Sequence, residues 1–320
     1  MSEIERTEFL TAPCGLSRAA ELLRSGRTVA FPTETVYGLG ADATSGEAVA
    51  GIFAAKDRPR FNPLIVHVAS FEAAEDCADI SGTALDFAQA FWPGSLTLVV
   101  PKREDAGLSD LVTAGLPSVA IRVPDHPVAS RLLADFGGPV AAPSANRSGR
   151  VSPTTAAHVT DGLDGRIDAV LDGGGCDVGL ESTILGFEGD VPVLLRPGGV
   201  PLEILQQATG TAIRMRDGSG GITAPGQLSS HYAPATALRL NVLTPDKDEL
   251  WLGFGPDCED AEMTLSASGD LVEAAANLFS ALRDLDKLAN GRRIAVAPVP
   301  ETGLGLAVND RLQRAAAPRS

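Results

Sequence analysis

What most constrains this chain is a repeated change of hydrophobic period, in which short apolar runs alternate with segments whose apolar residues recur at helical spacing. "LSRAAELLRSG" shows helical spacing and closes on Gly26, and "RTVAF" follows as a short buried strand. "EAVAGIFAAK" predicts a second helix, with Val49, Ile52 and Phe53 on one face and Pro59 ending it; "PLIVHV" then reads as a strand. A helix is expected over Phe71 to Ala90, strands at "SLTLVVP" and "SVAIRVP", a helix at "PVASRLLADF" and a strand at "PVAAP". "IDAVLDGG", "STILGF", "VPVLLRPG" and the helix "PLEILQQATG" complete a first unit ending near Gly210. Several strands follow one another directly, so the predicted fold is α/β with a mixed, twisted open sheet and flanking helices.

Residues Asp217 to Pro234, "DGSGGITAPGQLSSHYAP", lose the apolar period and are rich in Gly, Ser and Pro, the composition of a linker or ordered lid. A tether has no use for His231 and Tyr232, so this segment is expected to fold back onto something. Beyond it, "ALRLNVL", "LWLGFG", a helix from Leu271 to Leu288 and "RRIAVAPV" predict a smaller α/β unit. In that helix Leu271, Ala274, Leu278, Leu282, Leu285 and Leu288 form one apolar stripe, with Gly291 as its cap. The expected domains are therefore 1–212 and 236–320, joined by a linker or lid over 213–235.

Lys plus Arg number 26 against 41 Asp plus Glu, a formal charge of −15, and a field of that sign opposes stable general binding to nucleic acid. An anionic ligand must be held by a local cluster of cations, and Lys56, Arg58 and Arg60 form one. Cys14, Cys77, Cys176 and Cys258 have no paired spacing, which argues against a zinc site or disulfide framework and fits a reducing cytoplasm. The N-terminus "MSEIERTEFL" has no signal-peptide pattern, and no apolar run is long enough for a membrane span.

Four polar clusters interrupt the apolar pattern. "PTETVYG" sets Thr33 and Thr35 just after a strand, where a loop can present hydroxyls to a ligand, although four such residues alone also make an ordinary turn. "KDRPRFNPLIVH" adds Lys56, Arg58, Asn62 and His67, which jointly supply phosphate cations and a titratable ring. In "PSVAIRVP", Arg122 lies inside an apolar strand with Ser118 and Ala120 on its face; it needs either an internal acid or a ligand carboxylate. "PSANRSGRVSPT" is dense in hydroxyls and turns, and "GLESTILGF" and "LLRPGG" contribute Ser182, Thr183 and Arg196. There is neither a Walker A motif nor G-x-G-x-x-G, and no Ser-His-Asp or Cys-His signature.

Taken in order, "PTETVYGLGADA", "KDRPRFNPLIVHV", "WPGSLTLVV", "VAIRVPDHP", "PSANRSGRVSPT", "ESTI" and "RPGG" resemble the threonylcarbamoyl-AMP synthase family. The form resembled has two domains, in which a linker carrying "HYAP" joins the synthase domain to a smaller Rossmann-like one. The resemblance implies condensation of L-threonine, bicarbonate and ATP into threonylcarbamoyl-adenylate with release of pyrophosphate. A tRNA threonylcarbamoyl transferase complex would then pass the group to the adenosine beside the anticodon. It also implies that Thr35, His67, Arg122, Ala142 through its backbone, and Ser182 surround threonine. Arg58, Asn62, Ser118, Ser144, Ser152, Arg196 and Tyr232 would surround ATP, with Lys56 and Asn146 near the phosphates. Lys56 and Arg58 are the expected catalytic cations, with Mg2+ carried on the phosphates rather than by a protein metal site. Two departures stand out: the family commonly has Gly where Asp57 stands, and "APGQLSSHY" lacks the basic residue that usually precedes the His-Tyr pair. Two other readings are weighed beside this one, an RNA-binding module, opposed by the net charge, and a carbamoyl-transfer protein of metalloenzyme maturation, which would carry additional zinc-finger or acylphosphatase-like segments.

Overall fold

A computed structural model of the chain describes residues 6–59, 61–216 and 231–318, so Arg60 and the 217–230 part of the expected lid lie outside the described residues. The strands are β1 (Glu8–Thr11), β2 (Val29–Phe31), β3 (Gly38–Asp42), β4 (Ile65–His67), β5 (Leu96–Pro101) and β6 (Ser118–Arg122). They continue as β7 (Val140–Ala141), β8 (Ala169–Asp172), β9 (Thr183–Glu188), β10 (Val191–Arg196) and β11 (Arg214–Met215). These build one sheet in the order β1-β8-β2-β3-β7-β4-β6-β5-β9-β10-β11. β4 runs parallel to β6 and β5 parallel to β9, while β6 is antiparallel to β5 and β10 antiparallel to β9, so the sheet is mixed as expected.

A second, all-parallel sheet, β12-β15-β13-β14, uses β12 (Leu238–Arg239), β13 (Glu249–Gly253), β14 (Met263–Thr264) and β15 (Arg293–Val296). The helix Leu271–Leu288 packs its predicted stripe inward at Ala274, Leu278, Leu282 and Leu285, whereas Leu288 ends the helix exposed. Asp270 caps its start by accepting from the backbone N–H groups of Val272 and Glu273.

Three local readings are corrected. The stretch Phe71 to Ala90 is two helices, Phe71–Glu75 and Thr83–Phe91, because Gly82 at φ 54° takes a turn that no continuous helix allows. "GLGAD", read as loop, is β3, pairing antiparallel with β2. Its Gly40 lies so close beneath Phe31 that a Cβ there would stand 2.7 Å from the ring, so glycines that read as loop here serve close packing. β1 was also passed over, since "EFLT" has only one buried residue and shows no strong apolar pattern.

The units do not pack as independent cores. Val36, Val151 and Leu180 from the first share an apolar cluster with Tyr232 and with Leu278 and Phe279 of the second. Gly179, at φ 72°, approaches the helix Leu271–Leu288 so closely that a Cβ would meet the Ala275 carbonyl oxygen at 2.5 Å.

Candidate functional site

Sheet order explains why distant polar clusters converge. His67 ends β4 and pairs in register with Arg122, which ends the neighbouring parallel strand β6. Arg196 ends β10 and lies opposite Ile184, two residues beyond Ser182 on antiparallel β9. Ala142 follows β7, and its backbone N–H donates to the Ile65 carbonyl oxygen at 2.9 Å. Open α/β sheets bind ligands beyond the carboxyl ends of such strands.

The cavity here spans about 540 Å³ of space between side chains, part of it open to solvent. Of the residues singled out from sequence, Thr35, His67, Arg122, Ala142 and Ser182 line it, as do Arg58, Ser144, Arg196 and Tyr232. Lys56, Asn62, Ser118, Asn146 and Ser152 are not on its wall. Ile65, on the wall, pairs with Ala120; the same register carried back brings Pro63 level with Ser118, roughly 13 Å along the strand from Arg122. His67 and Arg122 therefore stand at the cavity end of β4 and β6, with Ser118 further back along β6 and off the cavity wall.

The Arg122 question resolves toward an internal acid. Its guanidinium pairs with the Glu34 carboxylate, donates from one terminal nitrogen to Thr35 Oγ1 at 2.9 Å, and from Nε to the Gly94 carbonyl at 3.0 Å. Each terminal nitrogen keeps one further N–H beyond these bonds. Burial would raise the Glu34 carboxyl, but Arg122 outweighs it and holds the group below its ordinary range. Glu34 Oε2 is buried without a partner among the described residues. The Thr33 hydroxyl donates to the Val36 carbonyl at 2.7 Å, so at its 2.8 Å contact with Thr35 the Thr35 hydroxyl is the donor. Thr35 thus meets Arg122, and any ligand, as an acceptor.

Burial first, then the Arg122 charge, pushes the His67 imidazole down to about 3, so the ring is neutral at physiological pH. Its Nδ1 is buried and unpartnered. His67 thus presents a neutral ring to the cavity it lines.

Lys56 ends the helix Gly46–Lys56, which starts on the Ser45 cap. Its fully buried ammonium donates to the carbonyls of Ser144, at 2.5 Å, and Asn146, and so fixes the "PSANRSG" loop from behind. Asn146 Nδ2 closes that loop on the carbonyls of Arg147 and Arg150, both at 2.8 Å, leaving Oδ1 buried and unpartnered. Arg58 donates to the Pro63 carbonyl at 3.0 Å, and burial pushes its guanidinium down to about 10. Asn62 is buried with neither side-chain polar atom partnered, an arrangement that costs about 1–3 kcal/mol per group unless something binds there. Asp57, where the family commonly has Gly, sits in the left-handed region at φ 52° and binds Arg147 and Arg166. The backbone geometry explains why glycine suits the position.

Arg196 donates to the Ser182 carbonyl at 2.8 Å, and Ser182 Oγ lies 2.7 Å from Thr97 Oγ1. Ser152 donates to Glu181 Oε1 at 2.5 Å, and the other Glu181 oxygen accepts from Arg311 Nε at 2.8 Å. Tyr232 has φ 61°, its hydroxyl is buried without a partner among the described residues, and its ring stacks on Phe279 with centroids 5.7 Å apart. A tyrosine held in that region costs roughly 1–3 kcal/mol, a strain found mainly where a site needs it. Every buried Lys and Arg among the described residues, Lys56, Arg58, Arg122, Arg196 and Arg311, gathers here, which is how a chain of charge −15 builds a positive site.

Glu34, Glu181 and Arg311 were missed in the sequence. The two glutamates stand inside "PTETVYG" and "ESTI" among hydroxyl residues, where nothing local marks a carboxylate that meets a buried cation. Arg311 carried a readable signal: it occupies an apolar-stripe position of the helix Gly305–Ala316, with Ala307, Val308, Leu312 and Ala315 buried around it.

Fold and site thus define a two-domain α/β protein with a cavity lined by Arg58, Arg122, Arg196 and Tyr232. Residues 21–198 match the family model described as "Telomere recombination", and residues 200–317 match the one described as "Threonylcarbamoyl-AMP synthase, C-terminal domain". The threonylcarbamoyl-AMP synthase of Bacillus subtilis (strain 168) is 42% identical over 341 residues, covering 98% of this chain and 96% of its own length. The crystal structure of P. abyssi Sua5 complexed with L-threonine superposes with a TM-score of 0.86 at 40% identity, covering 97% of each chain. Full-length HypF in its phosphate- and nucleotide-bound form, 18% identical with a TM-score of 0.52 over 58% of this chain and 29% of its own, shares the fold alone. The chain belongs to the threonylcarbamoyl-AMP synthase family, and it is an enzyme of that family.

Proposed function

We propose that this enzyme condenses L-threonine, bicarbonate and ATP into L-threonylcarbamoyl-adenylate, pyrophosphate and water, for N6-threonylcarbamoylation of the adenosine beside the anticodon in tRNA. The observation that supports the reading is the set of cations on the cavity wall. Arg122 pairs in register with neutral His67 there, and Arg58 and Arg196 line the same cavity.

The threonine amine attacks CO2 derived from bicarbonate, with loss of a proton, to give a carbamate. A carbamate oxygen then attacks the α-phosphorus of ATP as the bond to pyrophosphate breaks. Both steps bring anions together, so positioning and fixed positive charge do the work and no nucleophilic side chain is required. Arg122 keeps spare N–H groups for the threonine carboxylate beside its Glu34 pair, with Thr35, Ala142 and Ser182 around the amino acid. Arg58 and Arg196 meet the phosphates; Lys56, Asn146 and Ser144 shape the loop that carries the triphosphate, and Ser152 acts through Glu181. Mg2+ would be carried by the nucleotide phosphates.

We read 1–212 as the catalytic domain, 213–235 as a lid and 236–320 as the second domain, with the product passed to a transferase complex in the cytoplasm. No helix among the described residues is long and apolar enough to cross a membrane. The deciding experiment is pyrophosphate release from ATP and bicarbonate, with and without L-threonine, in wild type and Arg122→Ala. Threonine-dependent release that collapses in the variant is expected; release indifferent to threonine in wild type would overturn the reading and move RNA binding or carbamoyl transfer ahead.

A further inference from the structure

Arg311 belongs to the second domain, yet its side chain is wholly buried against the first. Three contacts define its place. Nε donates to Glu181 Oε2 at 2.8 Å, one terminal nitrogen donates to Asp310 at 2.6 Å, and the guanidinium carbon lies 5.0 Å from the centre of the Tyr232 ring. The other terminal nitrogen is buried without a partner among the described residues. Glu181 is divided between domains, since its second oxygen accepts from Ser152 of the first. Glu181, Arg196 and Tyr232 all line the cavity, whereas Arg311 stands behind them.

We propose that Arg311 is a positioning residue for the nucleotide end of the site, through which the second domain completes ATP binding. It would act in two ways. Glu181 is a carboxylate out of water, and in such a setting it takes the nearest cation as its countercharge. With Arg311 bound to it, Glu181 presents a compensated carboxylate to the cavity; without Arg311, that negative charge on the wall opposes the nucleotide phosphates. Arg311 also lies over Tyr232, and the ring's stacking partner, Phe279, belongs to the second domain as well. Two of the three ring contacts that hold this strained residue at the cavity, those with Arg311 and Phe279, therefore come from the second domain, and the third is with its neighbour His231.

The inference rests on the cavity's being an ATP site, so wild-type binding of a non-hydrolysable ATP analogue is measured first, on the full chain. No binding by wild type would overturn the nucleotide reading and this one with it. In Arg311→Met, analogue dissociation constant and ATP KM are expected to rise at least about tenfold while threonine KM moves less than about threefold. A residue that merely braced the domains would weaken both substrates alike. Arg311→Met combined with Glu181→Gln should recover part of the loss, because the orphaned carboxylate is gone. ATP affinity within about twofold of wild type, or equal loss for both substrates without recovery in the double variant, would overturn the proposal. Should Arg311→Met fail to fold, Arg311→Lys keeps the charge but not the fork; weakened analogue binding supports the proposal and wild-type affinity overturns it.

Discussion

Replacing Glu34 by Gln tests how Arg122 is shared between the protein and its substrate. Both partners are buried, with side-chain exposures of 3% for Arg122 and 10% for Glu34, so this pair is not a surface contact weakened by solvent. Gln keeps an acceptor for Arg122 and for Ser95 Oγ, which lies 3.1 Å from Glu34 Oε1, but removes the countercharge. Breaking a buried pair costs about 3–5 kcal/mol, and with the hydrogen bond retained the low end, about 3 kcal/mol, applies. At about 2–4 °C per kcal/mol the melting temperature should fall by about 6–12 °C. Threonine should then restore more stability in the variant than in wild type, because its carboxylate becomes the only anion beside Arg122. Wild-type Glu34 has a lowered carboxyl, so its contribution is full above the ordinary value of 4.5 and is lost as pH falls below it toward the folded value. Glu34→Gln should lack that acid-dependent loss. Thermal melts of both proteins across pH 3–7, with and without saturating threonine, decide the matter. An unchanged melting temperature, or a threonine-induced shift no larger than in wild type, would refute the shared-guanidinium reasoning.

His67, neutral with its imidazole near 3, makes the folded chain take up fewer protons than the unfolded one between 3 and 6.5, so stability falls as pH drops through that window. No limb of kcat/KM for threonine should belong to it, and a limb near 6–7 that vanishes in His67→Asn would show it to be a base. Lys56→Met leaves the Ser144 and Asn146 carbonyls without their donor and should cost about 2–4 kcal/mol in urea unfolding, with a raised ATP KM; a loss under about 1 kcal/mol would contradict the bracing role. Tyr232→Phe keeps the stack on Phe279 and removes only an unpartnered hydroxyl, so the melting temperature should hold while ATP affinity drops about fivefold, read by analogue titration. Equal affinity would place that hydroxyl away from the nucleotide. Asp57→Gly exchanges left-handed strain for the loss of two half-exposed ion pairs and should change stability by less than about 0.5 kcal/mol.

Local pattern by itself determined the mixed α/β class and most strands and helices, because period, caps and turn chemistry are properties of neighbouring residues, whereas the ligand assignments of the candidate residues came from the family resemblance. Charge placement was legible in part: Arg122 in an apolar strand announced a buried partner, and Tyr232 in a Gly/Ser/Pro-rich segment announced a docking site. Which acid answered Arg122, and that Lys56 faces carbonyls instead of the cavity, depended on which strands became neighbours. β4 and β6 stand 53 residues apart at their starts, yet their register sets His67 beside Arg122. Glu181 and Arg311 are 130 residues apart and meet only because the second domain packs across the end of the first sheet. Such contacts follow from the burial of two apolar faces against each other, a long-range outcome that no short window of sequence records.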